Sequence, residues 1–269
     1  MQEHPLLIVD LVNAGLGPLV RAILEPFGFH FDPAHPVIPN YLVMVMLIVA
    51  GVTVLSLFVR SRLSVENPGK LQILLEDGLT ALLGMMEQWI GPKGPRYFPL
   101  VGTLFVFILL SNYLGLVPGF MAPTSSLNVT LGCALTIWVY YHYQGFKEQG
   151  VVNYLKHFAM PPGSPVWMAP LMLIIETISH LARVMSLSLR LFGNIFGEEL
   201  VILIFFSLMP FVLPLPMMFL ALITGGLQAF IFALLSIIYL QGAVAVEHDH
   251  EHDQHGHDAP RGHHAPAAA

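Results

Sequence analysis

The chain has 269 residues, of which 55% are hydrophobic and only 10% charged, and its formal net charge is −6. Soluble domains carry about 25% charged residues, so the composition excludes a soluble enzyme and, lacking a basic surface, a nucleic-acid binder. It describes an all-α polytopic membrane protein whose single cysteine, Cys133 in an apolar run, rules out a disulfide framework or a cysteine metal site and suits a small core residue.

Residues 1–37 alternate apolar pieces with Pro, Gly and the acids Glu3, Asp10, Glu25 and Asp32, against one basic residue, Arg21. Short interfacial helices are expected in this N-terminal segment. A basic n-region and a clear small-residue cleavage site are missing, so no signal peptide is assigned. A membrane domain over 38–246 follows. Its first span is 38–59, closed by Arg60 and Arg62. Residues 70–91 then carry Glu76, Asp77 and Glu87 among apolar residues at helical spacing, the pattern of an amphipathic helix on the membrane rather than a crossing.

A second span is predicted over 97–117 and a third over 126–144, joined by the uncharged link MAPTSS. A polar linker with Lys156, His157 and PPGSP leads into 165–210, the segment on which the rest turns. As one helix, its roughly 45 residues would reach about 67 Å, against a hydrocarbon core of about 30 Å. It therefore either turns back or lies steeply tilted. The last span is 216–241, and from Glu247 the composition changes to EHDHEHDQHGHDAPRGHHAPAAA. This tail, 247–269, reads as a disordered, solvated, pH-responsive segment, with Zn²⁺ or Ni²⁺ binding by its histidines as the other reading.

Basic residues orient the chain. Loops with Arg60, Arg62 and Lys70, with Lys93 and Arg96, and with Lys147 and Lys156 belong on the cytoplasmic side. The links at 119–126 and 210–216 hold no Lys or Arg and belong outside. The count closes with five crossings, N-terminus outside and C-terminus inside, if 165–210 crosses once.

Within 165–210 stand Glu176, His180, Arg183, Arg190, Glu198 and Glu199. A guanidinium at mid-membrane costs roughly 2.5–3.5 kcal/mol on insertion scales, so Arg190 needs a partner or a task. On a helical projection Glu176, Ser179, Arg183, Ser186, Arg190, Gly193, Asn194 and Gly197 fall within about 60° of Arg190. Two readings of this stripe are open. It is a close helix–helix contact with Arg190 paired to a glutamate, or it is a functional surface. Glu199 points nearly opposite Arg190. In the last span Thr224, Gln228 and Tyr239 lie close to one face, Gly225 and Gly226 allow a close neighbour, and Arg190 or Asn194 can satisfy the Gln228 amide.

The motifs SLSLRLFGNIFGEEL at 186–200, ISHLARVMSLSLRLFGN upstream, SNYLGLVPG at 111–119 and LQAFIFALLSIIYL at 227–240 together resemble the a subunit of F-type ATP synthases, from the first span to about residue 245. The resemblance implies five crossing helices plus an amphipathic one, the last two long and tilted and curved beside a ring of c subunits. It implies that Arg190 is the essential arginine, that Asn194, Glu199 and Gln228 lie on an aqueous access path, and that Glu176 lies towards the cytoplasmic exit. Two positions depart from some members: Glu198 stands where they have a small residue, and Ala221 where they have a histidine. The pair Glu198–Glu199 is expected to replace that histidine as relay.

On this reading protons enter from outside by Glu199, load a ring carboxylate, and leave past Glu176, Ser179, Arg183 and Ser186, with Arg190 separating the two half-channels. The implied partners are the c ring, the b-subunit peripheral stalk, the remaining ATP synthase subunits and the lipid of a bacterial inner membrane. No nucleotide-binding loop or nucleophile constellation is present and no cofactor is expected, so ATP chemistry would belong to the partners. The alternative is a stand-alone ion-coupled transporter using Arg190 with Glu198 and Glu199. It calls for inverted repeats or paired broken helices, which the sequence does not display.

Overall fold

The computed structural model describes residues 7–27, 36–61, 63–64, 68–117, 119–151, 154, 166–209 and 212–244. The histidine-rich tail and the Lys156–His157 linker lie outside these residues. Among them the ordered elements are all helical: α1 (Leu7–Leu24), α2 (Asn40–Ser61), α3 (Lys70–Ile90), α4 (Phe98–Leu114), α5 (Leu127–Gln149), α6 (Ala169–Leu208) and α7 (Pro214–Val244). Four stretches, α2, Gly94–Leu114, α6 and α7, are long and apolar enough to cross a membrane. Helix α5 has the length, at 23 residues, but its YYHYQ run and the charged Lys147 and Glu148 dilute its hydropathy below theirs. The charge-bearing α3 also falls outside that class, as its amphipathic pattern predicts.

The central question from the sequence, hairpin or single helix, is decided by α6. It runs unbroken for 40 residues, about 60 Å. Proline punctuation explains both ends. Pro170 occupies the first turn, where its missing N–H costs nothing. Met209 is extended at φ −147° and ψ 101°, as expected for a residue that precedes a proline in sequence. Between them no proline interrupts the helix. A 60 Å rod in a 30 Å slab must lie steeply or run out of it.

Helix α7 is the hub, packing against α3, α4, α5 and α6. Its Ala229, Phe232, Ala233, Ile237 and Leu240 are buried in one core with Ile108 of α4, Ile137 of α5 and Leu187 and Leu191 of α6. Cys133 is buried in the same core as a free thiol, the role its apolar run suggested. Lipid-facing interiors are tied by polar side chains and small residues, and three such ties appear. Thr130 and Ser188 hydroxyls lie 3.1 Å apart between α5 and α6. Asn112 of α4 donates to the Gly225 carbonyl of α7 at 2.9 Å. The Asn112 amide oxygen accepts from Thr124 at 2.8 Å.

Outside that core, α1 replaces the expected short interfacial helices with one 18-residue helix containing Pro18. It docks on α2 through Val9 against Val43 and Met44, and Asn13 pairs with the Ile38 backbone through both its amide nitrogen, at 3.2 Å, and its oxygen, at 2.9 Å. At the other end of the bundle Lys93 bonds Glu148 at 2.9 Å. That hydrogen bond holds the Glu148 carboxyl below the usual carboxylate range.

Gly225 and Gly226 do admit a close neighbour, and it is α4. A Cβ at Gly225 would stand 3.2 Å from the Asn112 Cβ, and one at Gly226 2.7 Å from the Tyr113 hydroxyl. Gly226→Val should therefore displace the Tyr113 side chain from between α4 and α7, at about 1–3 kcal/mol for overpacking. It should lower the thermal unfolding temperature of the detergent-solubilised assembly, and adding Tyr113→Ala should recover most of the loss.

Candidate functional site

Burial divides α6 lengthwise. His180, Val184, Leu187, Ser188, Leu191 and Ile195 face the bundle. Ser186, Arg190, Gly193 and Asn194 are exposed, with Glu176, Ser179, Arg183 and Gly197 half-buried along the same line. The predicted stripe thus exists as an open face. A Cβ built at Gly193 or Gly197 meets nothing within 4 Å, so these small residues do not seat another helix of this chain. Arg190 makes no ion pair or hydrogen bond among the described residues. The reading in which Arg190 pairs with a glutamate of its own chain is therefore corrected. Its carboxylates are committed elsewhere, and the helix turns Arg190 away from the bundle. Ser186, one turn before it, is likewise exposed.

One turn beyond Arg190, Asn194 donates to the Gln228 side-chain oxygen at 2.9 Å, bridging α6 and α7. Asn194, rather than Arg190, is thus the partner of this amide. Gln228 is 3% exposed, and its buried Nε2 has no acceptor among the described residues. A buried amide donor without an acceptor is unusual and marks either strain or a place where function needs a donor.

Glu198 and Glu199 are neighbours in sequence but not in surroundings. Thr224 of α7 donates a hydrogen bond to Glu198. Glu198 lines a cavity of about 330 Å³ with Gly193, Asn194, Met217 and Ala221. Glu199 points the other way, accepting the Ala122 backbone N–H at 3.0 Å, and lines a second cavity of about 410 Å³ with Gly115, Phe120, Phe206 and Met218. Ile202 borders both cavities. The pair expected to act as one relay thus becomes two separately held groups, one beside each cavity. Ala221 lines the Glu198 cavity as well.

The link receiving Glu199 was read from sequence as a plain connector. It is instead packed inward: Ala122, Thr124 and Ser125 are 1%, 0% and 5% exposed. Asn112 and Thr124 anchor it to α4. Their part in building the site had no sequence signal beyond the SNYLG motif.

At the N-terminal end of α6, Glu176 and His180 stand at i and i+4, with Glu176 Oε1 3.1 Å from His180 Nε2. The other ring nitrogen, Nδ1, lies 2.6 Å from the Tyr141 hydroxyl. Arg183 sits over the Tyr239 ring at 5.5 Å. Sequence reasoning noted His180 without a role and passed over Tyr141 and His142. The i, i+4 spacing of Glu176 and His180 was the available clue.

Long apolar helices, one partnerless arginine on an open face and carboxylates set in cavities behind it define a multi-pass membrane protein with a polar face inside its apolar zone. A family model described as ATP synthase A chain matches residues 41–241. The chain is 44% identical over 230 residues to ATP synthase subunit a of Citrifermentans bemidjiense, covering 86% of this chain and 95% of that one. It is 41% identical over 245 residues to ATP synthase subunit a of Geobacter sulfurreducens, covering 91% and 99%. ATP synthase subunit a 2 of Syntrophotalea carbinolica is 44% identical over 246 residues, again covering 91% and 99%. The chain belongs to the ATP synthase A chain family.

Glu199 combines a structural bond with an ionisable group, and two substitutions separate them. Glu199→Gln keeps an oxygen for the Ala122 N–H and should leave thermal stability within about 0.5 kcal/mol of the parent, as for a tolerated substitution. Glu199→Ala leaves that buried donor unmet and should cost about 1–3 kcal/mol. Thermal unfolding of the two variants, side by side, checks both values.

Proposed function

We propose that this chain is the proton-translocating stator subunit of a rotary F-type ATP synthase. It would supply two offset half-channels that load and unload protons on the carboxylates of a c ring. The observation that carries the reading is Arg190: exposed on an apolar helix, beside Gly193 and Gly197 where nothing of the chain comes close, and without a counter-charge among the described residues. A charge at that place needs a partner from another subunit. A ring carboxylate passing along the stripe meets the need, and the small residues Ser186, Gly193 and Gly197 let its helix come close.

The chemistry follows from the charge. A guanidinium stays protonated at any physiological pH. It favours the ionised form of a carboxylate beside it, so a loaded ring site releases its proton on approach. It also repels a proton that would pass directly from one half-channel to the other. Glu199 and Glu198 in their two cavities, with Asn194 and Gln228, serve the outer path. Glu176, Ser179, Arg183 and Ser186 serve the inner one. Each charge falling through 100 mV releases about 2.3 kcal/mol to rotation.

The same reading assigns five crossings, by α2, α4, α5, α6 and α7, with α3 lying amphipathically at the membrane. It places the chain in a bacterial inner membrane, residues 1–37 outside and 247–269 in the cytoplasm. The b-subunit stalk and the other ATP synthase subunits complete the assembly, and catalysis on ATP resides in them. The Glu198 cavity, bordered by Ala221, supports Glu198 as the stand-in for the relay histidine of some family members.

Two experiments test this. In vesicles holding the assembled complex, Arg190→Ala should abolish ATP-driven acidification and raise passive proton leak under an imposed potential. Arg190→Lys, which loses the planar fork and can deprotonate when desolvated, should be severely impaired rather than conservative. An assembled Ala variant that still pumps sinks the reading. For topology, cysteines at Gly119 and Val212, both exposed, should react with an impermeant maleimide in intact cells. A cysteine at the exposed Lys147 should react only after permeabilisation. External labelling at 147 would overturn the five-crossing arrangement.

A further inference from the structure

At the end of the bundle holding the N-terminus of α6, a group of ionisable and phenolic side chains lies off the stripe, on the buried side of the helix. His180 is its centre, 8% exposed. Its ring is spanned on both sides, Nε2 by Glu176 Oε1 at 3.1 Å and Nδ1 by the Tyr141 hydroxyl at 2.6 Å. The His142 ring lies 4.7 Å away, centroid to centroid. His142 Nδ1 in turn lies 2.7 Å from the hydroxyl of Tyr154, beyond the end of α5. Arg183 and Tyr239 complete the surroundings from α6 and α7, with Tyr239 6.1 Å from Tyr141.

The arrangement is more than a packed histidine requires. A buried imidazole with a structural role needs one partner at each nitrogen, and backbone carbonyls or hydroxyls suffice. Here one nitrogen meets a half-buried carboxylate and the other a phenol. An imidazole so placed can receive a proton at one nitrogen while both hydrogen bonds persist, because a hydroxyl donates or accepts as needed. A proton given to it does not stay. Arg183 is one turn along the same helix, and its guanidinium disfavours a standing positive charge on His180; a second imidazole, His142, lies beside it.

We propose that His180 is a proton-relay residue of the inner half-channel, with His142 the second imidazole of the pair. The inference rests on the function proposed above and deepens it. In the step, the O–H bond of protonated Glu176 breaks and an N–H bond forms at His180 Nε2, leaving a carboxylate and an imidazolium. The imidazolium then gives its Nδ1 proton to the Tyr141 hydroxyl oxygen as that hydroxyl releases its own proton to the neighbouring His142 imidazole, restoring neutral His180 and Tyr141. No oxidant or co-reactant is involved. The stripe residue Glu176 is thereby connected to a buried route along α5, not to open water alone.

The test uses the complete complex in vesicles, with ATP-driven acidification measured over a pH range that extends well below the ordinary histidine value. His180→Gln keeps hydrogen-bonding capacity but cannot be protonated, and should slow pumping at least about tenfold, the low side of what a positioned proton-transfer group contributes. It should also flatten the inflection in the parent's pH profile, and added imidazole should restore part of the rate. His142→Gln should shift the same inflection with a smaller loss. Should His180→Gln reduce assembly, the profile of His142→Gln and of Glu176→Gln decides instead, since both retain His180. Parental rates and pH profiles in His180→Gln, or in both substitutes where it does not assemble, overturn the relay. Arg190→Ala measured in parallel separates the two levels. If it abolishes pumping while His180→Gln behaves as the parent, only the relay falls. If it pumps, the underlying reading falls with it.

Discussion

An ionised side chain in hydrocarbon must be offset by a counter-charge, hydrogen bonds or water, and Arg190 finds neither counter-charge nor hydrogen bond among the described residues. This single deficit orders the molecule. It requires a helix that presents the arginine outward at mid-length, which α6 does by running unbroken for 40 residues. That helix must also be held firmly from behind, because a charged face that wandered would find its own carboxylates. Leu187, Ser188, Leu191 and Ile195 supply that hold on the bundle side, immediately before and after Arg190. The surface is then polar in front and packed behind, an arrangement suited to a moving partner.

Holding the arginine free also means keeping the nearby carboxylates engaged. Glu198 takes the Thr224 hydroxyl, Glu199 an amide of the α4–α5 link, and Glu176 the ring of His180. Each is tethered to a different neighbour, and none reaches Arg190. The tethers differ in kind. Thr224 and Ala122 are neutral donors, whereas His180 carries an ionisable ring between a carboxylate and a phenol. The two ends of α6 are thus chemically unlike: carboxylates with fixed donors in cavities at one end, a carboxylate–imidazole–phenol sequence at the other. The hub position of α7 makes this possible, since it carries Thr224, Gln228 and Tyr239 into contact with α6 within one rigid core.

Reading the chain without its structure recovered the length of α6, the stripe around Arg190, the amphipathic α3 and the closeness permitted at Gly225 and Gly226. These rest on composition and helical periodicity, and both survive tertiary packing because lipid, like a core, selects apolar surface. It also anticipated that α6 would supply a partner for Gln228, which Asn194 does. It did not foresee that Glu198 and Glu199 would part company. Adjacent residues on a helix point about 100° apart, so two neighbours meet different elements unless a third surface gathers them. Nor did it foresee the buried link at Ala122–Ser125, which looks like any short polar turn until Asn112 and Glu199 are seen to fasten it.

What the sequence by itself determined is the class of molecule, its family and the location of its ionisable stripe. Hydropathy, proline punctuation and the 3.6-residue period act locally, within one helix and the lipid around it. Only the tertiary structure decided which of those ionisable residues have partners and which face outward alone. Hydrogen bonds such as Glu199 to Ala122 and Tyr141 to His180 join residues 77 and 39 positions apart, and their existence depends on rotation and depth of one helix against another. A shift of about 1.5 Å per residue would break them without altering a single hydropathy window. The His142–His180 pair shows the limit most plainly: two histidines on separate helices carry no mutual signal in sequence, and become neighbours only when α5 is packed against α6.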